Sequence, residues 1–192
     1  YSRIQSDQII EYDGQSDHAF DGIIKELTKK AEGNVDDKGY VKVTSSSIIN
    51  SSYIPKFAAD LNDSKSYFES NGEKNSWLQY DFMQRKVCPT QYSIRSRPDN
   101  NKGGYHPKNW AIEGSNDNEN GNGNWTTLDS RENVDSLNES SAVQTFDIKN
   151  TEDAKNGFRF LRIRYTGPNI YGNDYMVISA LEYFGQLIDK KD

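Results

Sequence analysis

The chain has 192 residues, enough for one domain with a buried core and a short extension. Its formal charge of −6 offers no clustered basic footprint for nucleic acid, and no run approaches the roughly 18 consecutive apolar residues of a membrane span. Hydrophobic residues make up 33%, yet 12% are aromatic, which excludes a disordered chain and predicts a small aromatic core beneath long polar loops.

Residues 1–17 are polar and unpatterned. The segment Ala19 to Ala31 reads as a short amphipathic helix: Asp21 can cap it, Phe20, Ile23, Ile24 and Leu27 form a stripe, Lys29 and Lys30 sit in the last turn, and Gly33 stops it. A first strand begins at Val41 and Val43, followed by a long loop from Ser45 to Pro55 and a turn over Ala58 to Asp63 anchored by Leu61. Three segments then alternate with period two, Trp77 to Phe82, Tyr92 to Arg95 and Trp110 to Glu113, as half-buried antiparallel strands do. Pro89 places the segment around Val87 and Cys88 at a strand start or an edge. Residues Asn116 to Asn124 form a flexible hairpin tip, and Val143 to Ile148, Phe158 to Tyr165 and Val177 to Phe184 complete about eight strands. With no helix–strand alternation and no internal repeat, the pattern gives an all-β antiparallel sandwich.

The pieces expected of an enzyme are missing. His18 and His106 have no partner motif, and no GxSxG, HExxH, paired-Cys zinc spacing or P-loop occurs. Asn116 to Asn124 echoes the start of an EF-hand loop, but Thr127 stands where a bidentate Glu is required. Cys88 is the only cysteine, which favours a reducing, intracellular compartment, with an extracellular one left open. Sequons at Asn50, Asn62, Asn124 and Asn138 point outward but carry little weight in a chain so rich in Asn, Ser and Thr. Arg162 and Arg164 share a strand face, with Asp81 as the expected structural partner of Arg162.

In order along the chain, Thr44–Ser47, Ala59–Asp63, Trp77–Phe82, Glu113–Asp117, Phe160–Arg164 and Ser179–Gly185 resemble the discoidin domain, also called the coagulation factor V/VIII type C domain. The likeness covers roughly residues 38–187, leaving an N-terminal extension over 1–37 and a tail over 188–192, and is strongest to intracellular members attached to BTB, ankyrin or ubiquitin-ligase chains. It implies jelly-roll topology and a non-catalytic ligand-binding module, here part of a larger multidomain chain. It also implies that loops Ile48–Ile54, Ser66–Lys74 and Arg97–His106 meet at one pole.

Membrane-binding relatives carry apolar tips there, whereas Pro98 to Gly104 has nothing to insert, which argues against a membrane ligand despite Ile48 and Ile49. Tyr53, Arg97, Asn100, Asn101, Tyr105 and His106 supply ring faces, donors and acceptors, and Asn169 and Tyr171 form a second, weaker group. These groups suit a protein or peptide partner, the leading expectation, since Tyr and Arg are common interface anchors. The alternative is a lectin-like, galactose-type sugar site with a structural calcium. The resemblance places that ion at Asn62, Asp63, Ser66 and Glu182, with Asn62 standing where relatives commonly have Asp.

Overall fold

Alternation in Trp77–Asp81 turns Leu78, Tyr80 and the following Phe82 to one side, where all three are fully buried. A computed structural model describes residues 7–99 and 104–189. Among these residues eleven strands and two short helices occur in the order β1 (Gln8–Ile10), α1 (Ile23–Ala31), β2 (Lys42–Ser45), β3 (Phe68–Glu69), β4 (Trp77–Asp81), β5 (Arg85–Arg95), β6 (Trp110–Ser115), β7 (Thr126–Arg131), β8 (Val143–Asp147), α2 (Thr151–Ala154), β9 (Phe160–Tyr165), β10 (Val177–Ile178) and β11 (Ala180–Asp189). Every pairing is antiparallel. One sheet runs β1-β11-β5-β8, the other β2-β4-β9-β6-β7, and β3 pairs with β10 as a small third ladder. The protein is therefore an antiparallel jelly-roll sandwich.

The inner faces of the two sheets meet in an aromatic core that includes Tyr80, Phe82, Tyr92, Trp110 and Tyr183, all with no exposed surface. Each such side chain contributes about 1.5–3 kcal/mol by leaving water. Two phenols also bridge the sheets. The Tyr80 hydroxyl on β4 lies 2.8 Å from the Leu181 carbonyl on β11, and the Tyr92 hydroxyl on β5 reaches Asp129 on β7 at 2.6 Å.

Pro89 lies inside the long strand β5 rather than at an edge of its sheet. Pairing with β8 begins only at Gln91, so no neighbour on that side asks Pro89 for an N–H. On the other side the β5–β11 register shifts at Phe184/Gly185. Gly185 has φ 137°, and a Cβ there would sit 2.1 Å from the Cys88 carbonyl, so only glycine fits opposite the bulge at Thr90.

The N-terminal segment folds onto the sandwich. β1 adds an edge strand to β11, and α1 buries Ile23, Ile24, Leu27 and Ala31. The helix starts later than its apolar stripe suggested, with Gly22 and not Asp21 at its N-cap, while Asp21 instead pairs with Lys25. It ends at Glu32, in the left-handed conformation at φ 56°.

The 116–124 connection is not a free tip. It folds back over the outer face of the second sheet: Asn118 Nδ2 donates to Gln79 at 2.8 Å, Glu119 meets Arg159 at 2.8 Å, and Asp117 accepts from Asn124. On that face Asp81 pairs with Arg159, through contacts of 2.8 and 3.0 Å. Arg162 stands opposite Gln79 in the register and pairs with Glu113 at 2.9 Å, its guanidinium 3.9 Å from the Trp125 ring centre. The expected Asp81–Arg162 pair is thus replaced, because Asp81 sits across from Phe160, next to Arg159 in sequence.

Candidate functional site

Three connections converge at one pole, those before β3, after β5 and after β9. Backbone hydrogen bonds join them: Ile49 N–H donates to the Glu69 carbonyl, Glu69 N–H to Tyr53, and Ile170 N–H to His106. On this frame stands a run of rings with one guanidinium. Tyr53 stacks on Tyr67 with centroids 4.7 Å apart, and Arg97 lies 5.8 Å from the Tyr67 ring and 4.9 Å from that of Tyr105. Tyr105 stacks on Tyr175 at 5.2 Å and meets Tyr171 edge-on at 5.5 Å. Tyr171 is 67% exposed, so the run ends in a ring open to solvent.

The charges at the centre are recessed. Arg97 Nε donates to Asp99 at 3.2 Å, and its Nη1 lies 4.0 Å from the Glu69 carboxylate. Burial pushes the Glu69 carboxyl above its usual range, with Arg97 opposing. Burial also lifts the Tyr67 phenol to about 12. A donor and an acceptor lie side by side, the positive charge offset by two carboxylates and rimmed by rings. That arrangement can take a paired donor and acceptor, as two neighbouring hydroxyls present, with an apolar face over tyrosine.

Of the sequence-nominated residues, Tyr53, Arg97, Tyr105 and Tyr171 come together here. Asn100 and Asn101 lie outside the described residues. His106 and Asn169 reach the same pole but face inward, 0% and 1% exposed. Asn169 is a staple for its own loop: its amide donates to Asn173 and the Tyr175 carbonyl, and its oxygen accepts from Gly172 and Asn173 N–H. His106 Nε2 sits 3.3 Å from Asp99 Oδ2 beneath the loop. Glu69, Tyr67 and Tyr175 escaped sequence reading. Glu69 and Tyr67 fall in a loop assigned to the pole, but nothing in their pattern singled them out.

Burial holds the His106 imidazole below its ordinary pKa, with Arg97 acting in the same direction and Asp99 against. The unfolded chain then takes up a proton near pH 6.5 that the folded chain refuses, so this contribution is complete above about 6.5 and is lost as pH falls through the lower folded value. Between pH 7.5 and 5 the unfolding midpoint of the native chain should fall relative to that of His106→Gln, which lacks this component. Equal slopes would refute it.

Of the four calcium candidates, the two carboxylates are already engaged by backbone donors. Both Glu182 oxygens are taken by backbone donors, Ile24 N–H at 2.7 Å, Tyr183 at 2.8 Å, Lys25 at 3.0 Å and Gly22 at 3.2 Å. The Asp63 carboxylate closes its own turn on the Lys65 and Ser66 amides, and the Ser66 hydroxyl, then these amides, hold its pKa below the usual value. Asn62 lines a cavity beside Asp60 and Phe20. Among the described residues no group of three or more His, Cys, Asp or Glu is placed to hold a metal.

No described helix is long and apolar enough to cross a membrane. Ile48 and Ile49 are exposed on the first loop of the pole, 43% and 38%. Cys88 is buried and reduced, and burial raises its thiol pKa.

Among solved structures, chitosan-binding module 2 from a chitosanase/glucanase of Paenibacillus sp. IK-5, in complex with chitotriose, superposes with a TM-score of 0.58 at 18% identity, covering 76% of this chain and 97% of that one. A module from Clostridium perfringens in complex with GalNAc-β-1,3-galactose gives 0.56 at 14%, covering 76% and 96%. A fucolectin from striped bass serum gives 0.56 at 17%, covering 76% and 47%. In sequence, the chain is 28% identical over 120 residues to the E3 ubiquitin-protein ligase Ufd4 of Drosophila melanogaster, a stretch spanning 62% of this chain and 4% of that protein. The F5/8 type C domain matches residues 42–180, from the first strand of the five-stranded sheet into the last strand of the other, and the chain belongs to that family.

Proposed function

We propose that the chain is a non-catalytic recognition module whose loop pole takes a neutral, hydroxyl-rich ligand of the saccharide class. The observation that carries this reading is the Arg97–Glu69 pair, a donor beside an acceptor under a rim of Tyr53, Tyr67, Tyr105 and Tyr171. Asp99 and Glu69 together offset the charge on Arg97, so net attraction for an anion is weak while directional hydrogen bonding remains. Saccharides named with the neighbours of similar fold agree with the ligand class without identifying a sugar.

A protein or peptide partner is the second reading, favoured by the match to a short stretch of a large ubiquitin ligase. A panel of immobilised neutral glycans, run beside a pull-down from cytosolic lysate, separates the two. Arg97→Ala should weaken glycan capture about 10- to 100-fold, the loss of a charge-assisted hydrogen bond of about 1.5–3 kcal/mol. No glycan retained by the native chain at millimolar concentration, or retention indifferent to Arg97→Ala, would sink the saccharide reading.

A further inference from the structure

We propose that Arg95 is a built-in cation that organises the Leu61–Ser66 loop in place of a metal ion, so that the module folds and presents its pole without calcium. The side chain is 8% exposed and its donors converge on the loop's oxygens. Nη1 donates to the Leu61 carbonyl at 3.2 Å, Nη2 to the Asp63 carbonyl at 2.8 Å, and Nε to Ser179 Oγ at 3.0 Å. Ser179 Oγ in turn donates to the Ser66 carbonyl at 3.3 Å. Two carbonyls of one turn are therefore held directly by a single positive centre, and a third is held through Ser179.

Among the described residues no carboxylate oxygen bonds the guanidinium; it is held by neutral oxygens, the ligand type that also suits a hard cation. The neighbouring Asp60 and Asp63 stabilise its charge at longer range against the cost of burial. A divalent ion using the same carbonyls would lie against that positive charge in a poorly solvated site, where repulsion is strong. The remaining acidic ligand is also spent, since Glu182 is committed to the first amides of α1.

The N-terminal segment closes the arrangement from above. The Phe20 ring lies 5.3 Å from the Arg95 guanidinium, and α1 takes the Glu182 carboxylate. Both belong to residues outside the stretch that matches the family, residues 42–180. Work that a bound ion would do on the loop is shared by Arg95 and this added helix. Arg95 stands two residues before Arg97, so the same strand end that anchors the loop positions the centre of the pole.

The test uses the full chain and calcium chloride, and does not depend on any ligand of the pole. Thermal unfolding midpoints in EDTA and in 5 mM calcium should coincide, and calorimetric titration with calcium should show no binding below millimolar. Arg95→Met, which keeps the stem and removes the donors, should lower the midpoint by more than about 5 °C and expose the 60–66 loop to protease. Arg95→Lys, with one ammonium, should fall between. If Arg95→Met does not fold, the native titration and Arg95→Lys decide. Calcium stabilising the native chain, or Arg95→Lys matching it in midpoint and protease resistance, would overturn the proposal.

Discussion

Glu182→Ala is expected to lower stability by about 3–5 kcal/mol, because four amides lose their acceptor and a buried donor left unsatisfied costs about 1–3 kcal/mol. The residue has no exposed surface, and its two oxygens serve four backbone amides: Gly22, Ile24 and Lys25 at the start of α1, and Tyr183 on its own strand. The first amides of a helix have no partner within it, and Gly22 at the N-cap has no side chain to offer. A carboxylate about 160 residues away in sequence therefore caps the helix and pins it to β11. Alanine would strand these donors and leave a void beneath Ile23 and Ile24. Glu182→Gln keeps one acceptor oxygen and should lose less.

Burial pushes the Glu182 carboxyl up to about 8 while the four amides pull it down. The folded chain thus binds this proton more tightly than the unfolded chain, so its contribution is complete below about pH 4.5 and is lost as pH rises towards 8. Urea unfolding at pH 5 and pH 8 measures both effects. The alanine variant should differ from the native chain by more at the lower pH, and amides of α1 should lose hydrogen-exchange protection. A deficit under 1 kcal/mol at both values would show that the helix holds itself.

Legibility tracked how local the cause was. Trp77 to Phe82 announced a strand because one face of its alternation enters the core, and Phe20, Ile23, Ile24 and Leu27 announced a helix for the same reason. The start of that helix was unreadable: Asp21 looks like a cap, but the capping group arrives from β11. β1 is three residues long and exists by pairing with β11, so no window around it carries the signal. Pro89 suggests an edge, but a bulge at Thr90 in its own strand, and the absence of a β8 partner before Gln91, accommodate it inside the sheet instead.

At the pole, residue type alone could not separate contact from scaffold. Asn169 and His106 have the chemistry of ligand groups, yet one staples its loop and the other is enclosed, while Tyr53, Arg97 and Tyr105 stand in the surface cluster. Glu69 was passed over because a single Glu in a polar loop looks solvated. Its position becomes visible only when β3 pairs with β10 and sets it beside Arg97. Asn62, Asp63, Ser66 and Glu182 matched a calcium pattern in type, and an arginine three strands' worth of sequence away took the carbonyls.

Asp129→Ala should cost about 3–5 kcal/mol, because this carboxylate, 2% exposed, anchors a polar chain through the middle of the sandwich. Its Oδ2 accepts from the Tyr92 hydroxyl at 2.6 Å and from Arg131 Nε at 2.9 Å, and the Tyr92 oxygen accepts from Trp110 Nε1 at 2.9 Å. Tyr92 belongs to one sheet, Trp110 and Asp129 to the other, so the chain is a tie between them. Burial, with the Asp129 charge beside it, drives the Tyr92 pKa far above that of a free phenol, which keeps the hydroxyl a donor at any working pH.

Alanine would leave Arg131 and Tyr92 without their shared acceptor. Asp129 Oδ1 has no hydrogen-bond partner among the described residues, a cost the alanine relieves, so the lower end of the range is expected. Tyr92→Phe should cost about 2–3 kcal/mol, stranding the Trp110 N–H and half of the Asp129 pairing. Because both changes cut one chain, the double variant should lose at least 1 kcal/mol less than the sum. Denaturant unfolding of the four proteins gives that coupling directly. Additive losses would mean that tight packing of Tyr92, Trp110 and Phe146, and not the polar tie, holds the sheets together.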